Sequence, residues 1–294
     1  MIVYQKLCLG PEGDDHCALC PVWDKETKRY DLTGLTRQVT ALAEPENVEL
    51  CGGESIPNKD LVSLISHARR QGVRRIKLLI SGQRLADWAM LTELVEAGCR
   101  LFEVKIYGSR PETHEGITGQ RGSFDHTLGG LQNLSALSGS GEYEGVIYVA
   151  ARVGVTRANL EDLVPTAALL ASLGVDRMIL ARGGNDLPMT QAAGVVGNAM
   201  RVAALNGVWC VCEGFPPCLM KGSEMHVAEL LRPVPSEAKK PKGCRGCTYV
   251  DICSGPPKGV SSKGGSRAFR AVPSSPYVED IRHLLQIGSP HGEP

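Results

Sequence analysis

The sequence predicts an α/β fold: a partial, TIM-like (β/α)6 barrel followed by a small cysteine-rich carboxyl-terminal domain. Short runs rich in β-forming residues alternate with helical patterns, and they lie at residues 2–8, 47–51, 75–80, 101–106, 146–153 and 177–181. Repeated strand–helix units predict parallel strands joined by right-handed crossovers. Six units are too few for a full eight-stranded barrel, so we predict an open one with its functional residues at the carboxyl ends of the strands.

The helical patterns between these strands show the spacing of a buried face. Apolar side chains recur at i, i+3, i+4 and i+7. One set is Leu61, Leu64, Ile65 and Ala68, and another is Trp88, Leu91, Leu94 and Val95. An alanine-rich helical pattern over residues 183–206 ends the barrel segment.

Composition divides the chain into three segments. Residues 1–206 form the predicted barrel, and residues 207–260 form the cysteine-rich domain. Residues 261–294 are rich in Gly, Ser and Pro, which predicts a loosely held tail with a short helix near residues 278–285. The chain contains no run of eighteen apolar residues, so we expect no membrane contact and a soluble, cytoplasmic protein.

The formal net charge is zero, but residues 232–270 hold nine basic residues against Glu237 and Asp251. Such a segment suits RNA or an acidic peptide. Because no aromatic residues are interleaved with the basic ones, we favour a solvated loop and keep nucleic acid as an alternative partner.

Three cysteines follow the first predicted strand closely, in the pattern Cys8-x8-Cys17-x2-Cys20. Three thiolates can hold three irons of a four-iron, four-sulfur (4Fe-4S) cluster and leave the fourth iron open to another ligand. A Gly-Gly-Glu triplet at residues 52–54 follows the second predicted strand. Its carboxylate suits an ammonium group, and its glycines let a ligand approach the backbone closely.

The same cysteines allow a zinc knuckle, in which His16 or Asp15 completes the site begun by Cys17 and Cys20. The triplet at residues 52–54, together with the strand and helix order, favours the cluster. A disulfide framework is disfavoured, because eleven cysteines is an odd number and the chain is large enough for a hydrophobic core.

Together these motifs resemble those of radical S-adenosylmethionine enzymes, with a longer spacing between the first two cysteines than is commonest there. The resemblance continues through Tyr107-Gly108-Ser109, His114 and the turn at residues 119–124. It implies that Cys8, Cys17 and Cys20 hold a 4Fe-4S cluster and that S-adenosylmethionine chelates the open iron through its amino and carboxylate groups. The amino group would be received by the Gly-Gly-Glu triplet, and the family fold is the same open barrel.

The resemblance also implies a reaction. An electron from the cluster, supplied by a reductant such as flavodoxin or ferredoxin, cleaves S-adenosylmethionine to methionine and a 5′-deoxyadenosyl radical, which takes a hydrogen atom from the substrate. The implied cofactor-binding residues are Gly52, Gly53, Glu54, Ser109 and Arg152. The implied catalytic residues are Lys105, Tyr107 and Arg182, the last of which suits a methionine or substrate carboxylate.

Several of these side chains have purely structural alternatives. Lys105 and Arg152 are equally suited to buried ion pairs with Glu103 or Glu49. Other polar residues are expected to have structural roles only: capping or solvent exposure for His114 and His126, a helix cap for Asn159, and burial without ligation for Cys51 and Cys99.

A second set of cysteines follows the predicted barrel. Its members are Cys218, Cys244, Cys247 and Cys253. The set resembles the twitch domain, the shorter relative of SPASM, and implies one auxiliary 4Fe-4S cluster, because Pro257 stands where the longer pattern has another cysteine. Cys210 or Cys212 could replace Cys218 or leave this cluster an open site. A structural zinc with four thiolates is the alternative, since tetrahedral sulfur ligation suits both metals.

The sequence therefore predicts a radical S-adenosylmethionine enzyme, with a peptide or protein as the first substrate class and a small molecule or cofactor precursor as the second. RNA is a further candidate because of the basic segment. Since the chain begins at its first predicted strand, we expect peptide recognition to need a partner. A non-catalytic iron–sulfur or zinc protein is the alternative from another class.

Overall fold

The computed structural model describes residues 4–9, 31–42, 47–52, 54, 56–143, 145–184, 187–231, 240–256 and 269–287. Within these residues, seven strands follow one another in a single sheet: β1 Gln5–Cys8, β2 Asn47–Cys51, β3 Arg75–Ile80, β4 Leu101–Ile106, β5 Tyr148–Val155, β6 Arg177–Arg182 and β7 Trp209–Glu213. β1 pairs with β2, β2 with β3 and β3 with β4, all in parallel. The fold is an α/β, partial TIM-like barrel, so the predicted class is confirmed.

The α-helices in the described part of the chain fall largely between the strands. They are α1 Leu32–Thr40, α2 Asn58–Arg70, α3 Trp88–Ala97, α4 Pro111–Thr118, α5 Ser123–Ser138, α6 Leu163–Ser172, α7 Met189–Leu205, α8 Ala228–Leu231 and α9 Val278–Ile287. None of the helices in these ranges is both long and apolar enough to cross a membrane.

The seventh strand is a difference from the prediction of six. β7 lies beyond the predicted end of the barrel at residue 206, and Cys210, Val211 and Cys212 within it are all buried. Buried free cysteines behave as small apolar residues. Cys210 and Cys212, which the sequence offers as alternative cluster ligands, are therefore buried residues of a short strand. The predicted domain boundaries themselves stay predictions.

The chain divides into two compact units: residues 3–152 with 172–177, and residues 153–171 with 178–293. In the first unit, the predicted buried faces of α2 and α3 are confirmed with one exception. Trp88 is 47% exposed. It is the first residue of α3. Asp87 caps this helix by accepting hydrogen bonds from the N–H groups of Ala89 and Met90. Trp88 therefore lies outside the packed turns, and Met90 is buried instead.

In the second unit, residues 269–287 pack against the cysteine-rich segment rather than forming a loose tail. The Thr248 N–H donates to the Val272 carbonyl at 2.8 Å, and the Tyr249 hydroxyl donates to Ser275 Oγ at 2.6 Å. Phe269 and Ile281 are buried. A few apolar anchors order this segment although its composition is that of a linker, and α9 confirms the predicted short helix. About half of the basic segment at residues 232–270 lies outside the described residues.

Candidate active site

Cys8 and Cys51 lie side by side at the carboxyl ends of β1 and β2. The two residues are direct partners in the strand register, and their Sγ atoms are 3.2 Å apart. Cys8 is exposed and Cys51 is buried, as expected for Cys51. The other predicted residues of this site, Cys17, Cys20 and Gly53, lie outside the described residues, as do Asp15 and His16.

Glu54 is a half-buried residue just beyond β2, and one of its two carboxylate oxygens is buried. The Ser81 N–H donates to Glu54 Oε1, whereas Glu54 Oε2 is buried without a hydrogen-bond partner among the described residues. Buried polar atoms are normally paired, so an unpaired carboxylate oxygen indicates a place for a ligand's donor group. Gly52, before it, has a φ of 81°, a left-handed conformation that glycine adopts without steric cost.

Two residues that the sequence does not predict, Ser81 and Arg84, complete this site. Ser81 follows β3, and its Oγ is also buried without a hydrogen-bond partner in the described part of the chain. Arg84 donates to the main-chain carbonyls of Glu54 and Ile56, so it fixes the backbone of the Glu54 loop. A polar residue immediately after an apolar strand was the available signal for Ser81. Arg84 carried no comparable signal, because its partners lie about thirty residues earlier in the sequence.

An ion-pair network lies on β2 to β5 of the first unit. Lys77 Nζ is 2.7 Å from Glu49 Oε2 and 3.3 Å from Glu103 Oε2, and Arg152 Nε contacts Glu103 Oε1. Burial alone would raise the pKa of Glu103, but the charges of Arg152 and Lys77 lower it to about 2. The ion-pair alternative for Arg152 is therefore present in the structure, while its predicted cofactor role stays a prediction.

The segment after β4 contains the remaining predicted residues of the first unit. Lys105 is half-buried in β4, Tyr107 is buried, and Ser109 is half-buried. The Tyr107 N–H donates to His114 Nδ1 at 3.3 Å. His114 is 2% exposed, which corrects the expectation that it caps a helix or faces solvent, and burial lowers its pKa to about 4. A neutral His114 thus fixes the backbone at Tyr107.

The other polar residues expected to be structural behave as predicted. His126 is exposed in α5, and Cys99 is buried, which raises its pKa to about 12. Asn159 completes a capping box with Thr156, whose N–H donates to Asn159 Oδ1 at 2.8 Å.

In the second unit, Arg182 is the last residue of β6 and packs against the backbone of Gly214. A Cβ atom at Gly214 would lie 2.7 Å from Arg182 Cβ, and Gly214 has a φ of 77°, so glycine is required there. The Gly214 N–H donates to Glu229 Oε1, and burial raises the pKa of Glu229. Arg182 and Glu229 are thereby brought to the same turn, and the predicted catalytic role of Arg182 stays a prediction.

The second set of cysteines lines one cavity, which holds about 290 Å³ of empty space including the part open to solvent. Its lining includes Cys218, Cys244, Cys247, Cys253, Phe269 and Arg270 but neither Cys210 nor Cys212. Burial raises the pKa of Cys218 to about 11. The other three thiols also raise this pKa, whereas a hydrogen bond from the Arg270 backbone lowers it. The four thiols are thus close enough to interact electrostatically.

Backbone N–H groups point at the sulfurs of this cavity. Val272 N donates to Cys247 Sγ at 3.4 Å, and Gly255 N donates to Cys253 Sγ at 3.3 Å. Within the described residues, no three Cys, His, Asp or Glu side chains are spaced as a site for a single metal ion. The segment at residues 269–272 therefore lines the cavity and also donates hydrogen bonds to its sulfurs.

Comparison with known proteins identifies relatives over parts of the chain. No protein-family model matches it. It is 32% identical over 127 residues to the Fe-coproporphyrin III synthase of Methanosarcina barkeri, covering 43% of this chain and 29% of that protein. It is 26% identical over 168 residues to a probable GTP 3′,8-cyclase of Saccharolobus islandicus, covering 56% of this chain and 51% of that protein. The matches thus span about half the length of these relatives or less.

Two further similarities agree with these. The AdoMet-dependent heme synthase of Methanosarcina barkeri is 27% identical over 137 residues, which cover 47% of this chain and 36% of that protein. The crystal structure of Streptococcus suis SuiB bound to S-adenosylmethionine superposes with a TM-score of 0.54 at 11% identity, covering 72% of this chain and 51% of SuiB. At that identity the superposition establishes the fold alone.

Proposed function

We propose that the chain is a radical S-adenosylmethionine enzyme, which cleaves S-adenosylmethionine reductively to start a hydrogen abstraction from its substrate. The observation that carries this proposal is the buried, unpaired Oε2 of Glu54. It lies just beyond β2, the strand whose last residue, Cys51, is paired with Cys8. A carboxylate in that position suits the ammonium group of S-adenosylmethionine.

The residue types of the first unit suit a cluster with one open iron. When bound, a 4Fe-4S cluster held by Cys8, Cys17 and Cys20 would supply the electron for the cleavage. Glu54 would hold the amino group of S-adenosylmethionine, and Arg84 would keep the Glu54 loop in place through its two carbonyl contacts. Gly52 and Gly53 would let the ligand approach the backbone.

Side chains at the later strand ends would bind the rest of S-adenosylmethionine and the substrate. Ser109 and Arg152 are the proposed contacts for S-adenosylmethionine. Lys105, Tyr107 and Arg182 are the proposed catalytic residues, and their part is to orient the reacting carbon and to exclude water.

For the substrate class, we propose a small molecule or cofactor precursor. The support is that the relatives at 26–32% identity are named for a coproporphyrin, a nucleotide and a heme. The peptide class, which the sequence alone ranks first, is kept as the second candidate. SuiB bound to the precursor peptide SuiA shares the fold at 12% identity and a TM-score of 0.50, and that likeness does not bear on the substrate. We therefore place the small molecule or cofactor precursor ahead of the peptide.

The test of the proposed function is the formation of 5′-deoxyadenosine. The iron-loaded protein is reduced with dithionite without oxygen, and product is measured by chromatography after S-adenosylmethionine is added. We expect product from the wild type and none from Cys17→Ala or Cys20→Ala, because a cluster with two thiolate ligands is not retained. Cys99→Ala, at a buried cysteine before β4, is the matched control and should keep activity. No product from a fully iron-loaded wild type would refute the proposal.

We further propose that Cys218, Cys244, Cys247 and Cys253 hold one auxiliary 4Fe-4S cluster. The shared cavity supports this assignment, as do the N–H groups of Val272 and Gly255, because hydrogen bonds to thiolate sulfur are a common feature of iron–sulfur sites. Four protein thiolates would leave no open iron, which suits electron transfer or structural support rather than substrate binding.

The auxiliary cluster predicts a specific metal content. The wild type should bind about eight irons, and Cys247→Ala or Cys253→Ala about four, measured with acid-labile sulfide after anaerobic reconstitution. Cys212→Ala is the control and should keep about eight, because Cys212 is buried in β7 and does not line the cavity. A wild type with about four irons and one zinc would instead identify the site as structural zinc.

A further inference from the structure

Cys8 and Cys51 are placed so that their thiols face each other across two neighbouring strands. They are register partners, and paired residues on parallel strands lie about 5 Å apart, within the Cα separation that a disulfide spans. The Cys51 thiol donates to Cys8 Sγ at 3.2 Å and lies 3.4 Å from the Leu7 carbonyl oxygen. The two sulfurs can therefore be joined without rearranging the strands.

The two thiols differ in their access to solvent. Cys8 is exposed, whereas Cys51 is 1% exposed. Thiol–disulfide exchange begins at an accessible thiol, and a second thiol near the first sulfur completes it. Cys8 is thus the thiol that a dissolved disulfide reaches, and Cys51 is the one that resolves the mixed disulfide.

We propose that Cys8 and Cys51 are a redox modification site that forms a reversible disulfide whenever Cys8 is not bound to iron. The oxidant is a low-molecular-weight disulfide. The Cys8 sulfur, having lost its proton to solvent, attacks one sulfur of that disulfide, and one small thiol leaves. The Cys51 sulfur, also deprotonated, then attacks Cys8 Sγ and releases the second small thiol. Two protein thiols are oxidised to one disulfide, and one small disulfide is reduced to two thiols.

The consequence for the enzyme rests on the proposed function. If Cys8 holds iron, the disulfide removes one of the three ligands of the first cluster, and cluster assembly is blocked until the bond is reduced. Conversely, iron at Cys8 protects the pair from oxidation. The auxiliary site does not share these residues, so its iron should be unaffected.

The test traps the bond in the full chain. Chelator-treated, fully reduced protein is exposed to oxidised glutathione, quenched with acid and N-ethylmaleimide, and digested with trypsin and the glutamate-specific protease. Cleavage after Lys6, Glu12, Glu49 and Glu54 separates Cys8, in residues 7–12, from Cys17 and Cys20, in residues 13–25, and from Cys51, in residues 50–54. We expect residues 7–12 linked to residues 50–54 as the main product, lost on treatment with dithiothreitol. A link from Cys8 to Cys17 or Cys20, or glutathione retained on Cys8, would overturn the proposal.

Two variants and one metal measurement complete the test. Cys51→Ser should stop at the mixed disulfide with glutathione on Cys8, whereas Cys99→Ser, at a buried cysteine elsewhere, should form the same link as the wild type. After oxidation, reconstitution should lose about four of about eight irons in the wild type and regain them after reduction. Unchanged iron uptake by the linked protein would overturn the block on assembly. If the link forms but reduced, iron-loaded protein makes no 5′-deoxyadenosine, the proposed function fails while the disulfide stands.

Discussion

Glu54→Gln should raise the concentration of S-adenosylmethionine needed for half-maximal 5′-deoxyadenosine formation by roughly 30-fold to 150-fold. The glutamine can still accept the Ser81 N–H through its amide oxygen, so the loop is kept, but the negative charge that faces the ligand's ammonium group is lost. A hydrogen bond to a charged group contributes about 2 to 3 kcal/mol, which corresponds to that range of affinity. Initial rates against S-adenosylmethionine concentration, and equilibrium dialysis, measure the change.

Glu115→Gln is the matched control for this variant. Glu115 also accepts one backbone N–H through its Oε1, from Gly122 at 2.8 Å, and it is only partly buried in α4. The control should keep its half-maximal concentration within about twofold, because Glu115, which is half-buried like Glu54, is not among the residues proposed to bind S-adenosylmethionine. An unchanged affinity in Glu54→Gln would mean that the unpaired oxygen serves another purpose than binding the ammonium group.

Glu54 can be predicted from the sequence because its motif is contiguous. Ser81 and Arg84, the residues that contact it, cannot be predicted in this way. A Gly-Gly-Glu triplet directly after an apolar strand is contiguous, and its position alone predicts a site at the strand end. Ser81 and Arg84 contact Glu54 through the pairing of β2 with β3, 27 and 30 residues away in sequence. Such partners become visible only once the strand register is known.

The ion-pair network illustrates the same limit. The sequence predicts Glu103 or Glu49 as an ion partner for Arg152, and Glu103 does accept a hydrogen bond from Arg152. Lys77 is not predicted as a partner, although it is a single charged residue between apolar neighbours in β3. Glu49 and Lys77 are direct register partners, a fact that periodicity cannot supply. The sequence likewise does not distinguish the buried strand β7 from a segment of metal ligands, because cysteine occurs both as a small buried apolar residue and as a ligand.

Glu103→Gln should cause a large loss of stability. Glu103 is 2% exposed and accepts hydrogen bonds from both Lys77 and Arg152. Neutralising it removes the negative charge that these two cations share in the barrel wall. Removing one partner of a buried ion pair costs about 3 to 5 kcal/mol. For a chain of this size, that should lower the midpoint of thermal unfolding by roughly 5 to 10 °C at pH 7. Circular dichroism on matched wild-type and variant samples measures the shift, with exposed Glu93→Gln in α3 as the control.

Acid should remove the difference between Glu103→Gln and the wild type. The folded pKa of Glu103 is lowered from 4.5 to about 2, so its ionisation stabilises the fold fully above about pH 4.5, and this contribution is lost as the pH falls toward 2. Over that window the wild type loses about 1.4 kcal/mol per pH unit relative to the variant. The gap in free energy of unfolding should therefore shrink by about 2 kcal/mol between pH 4.5 and pH 3. A gap that does not change with pH would show that lost packing, and not the loss of the charge, destabilises the variant.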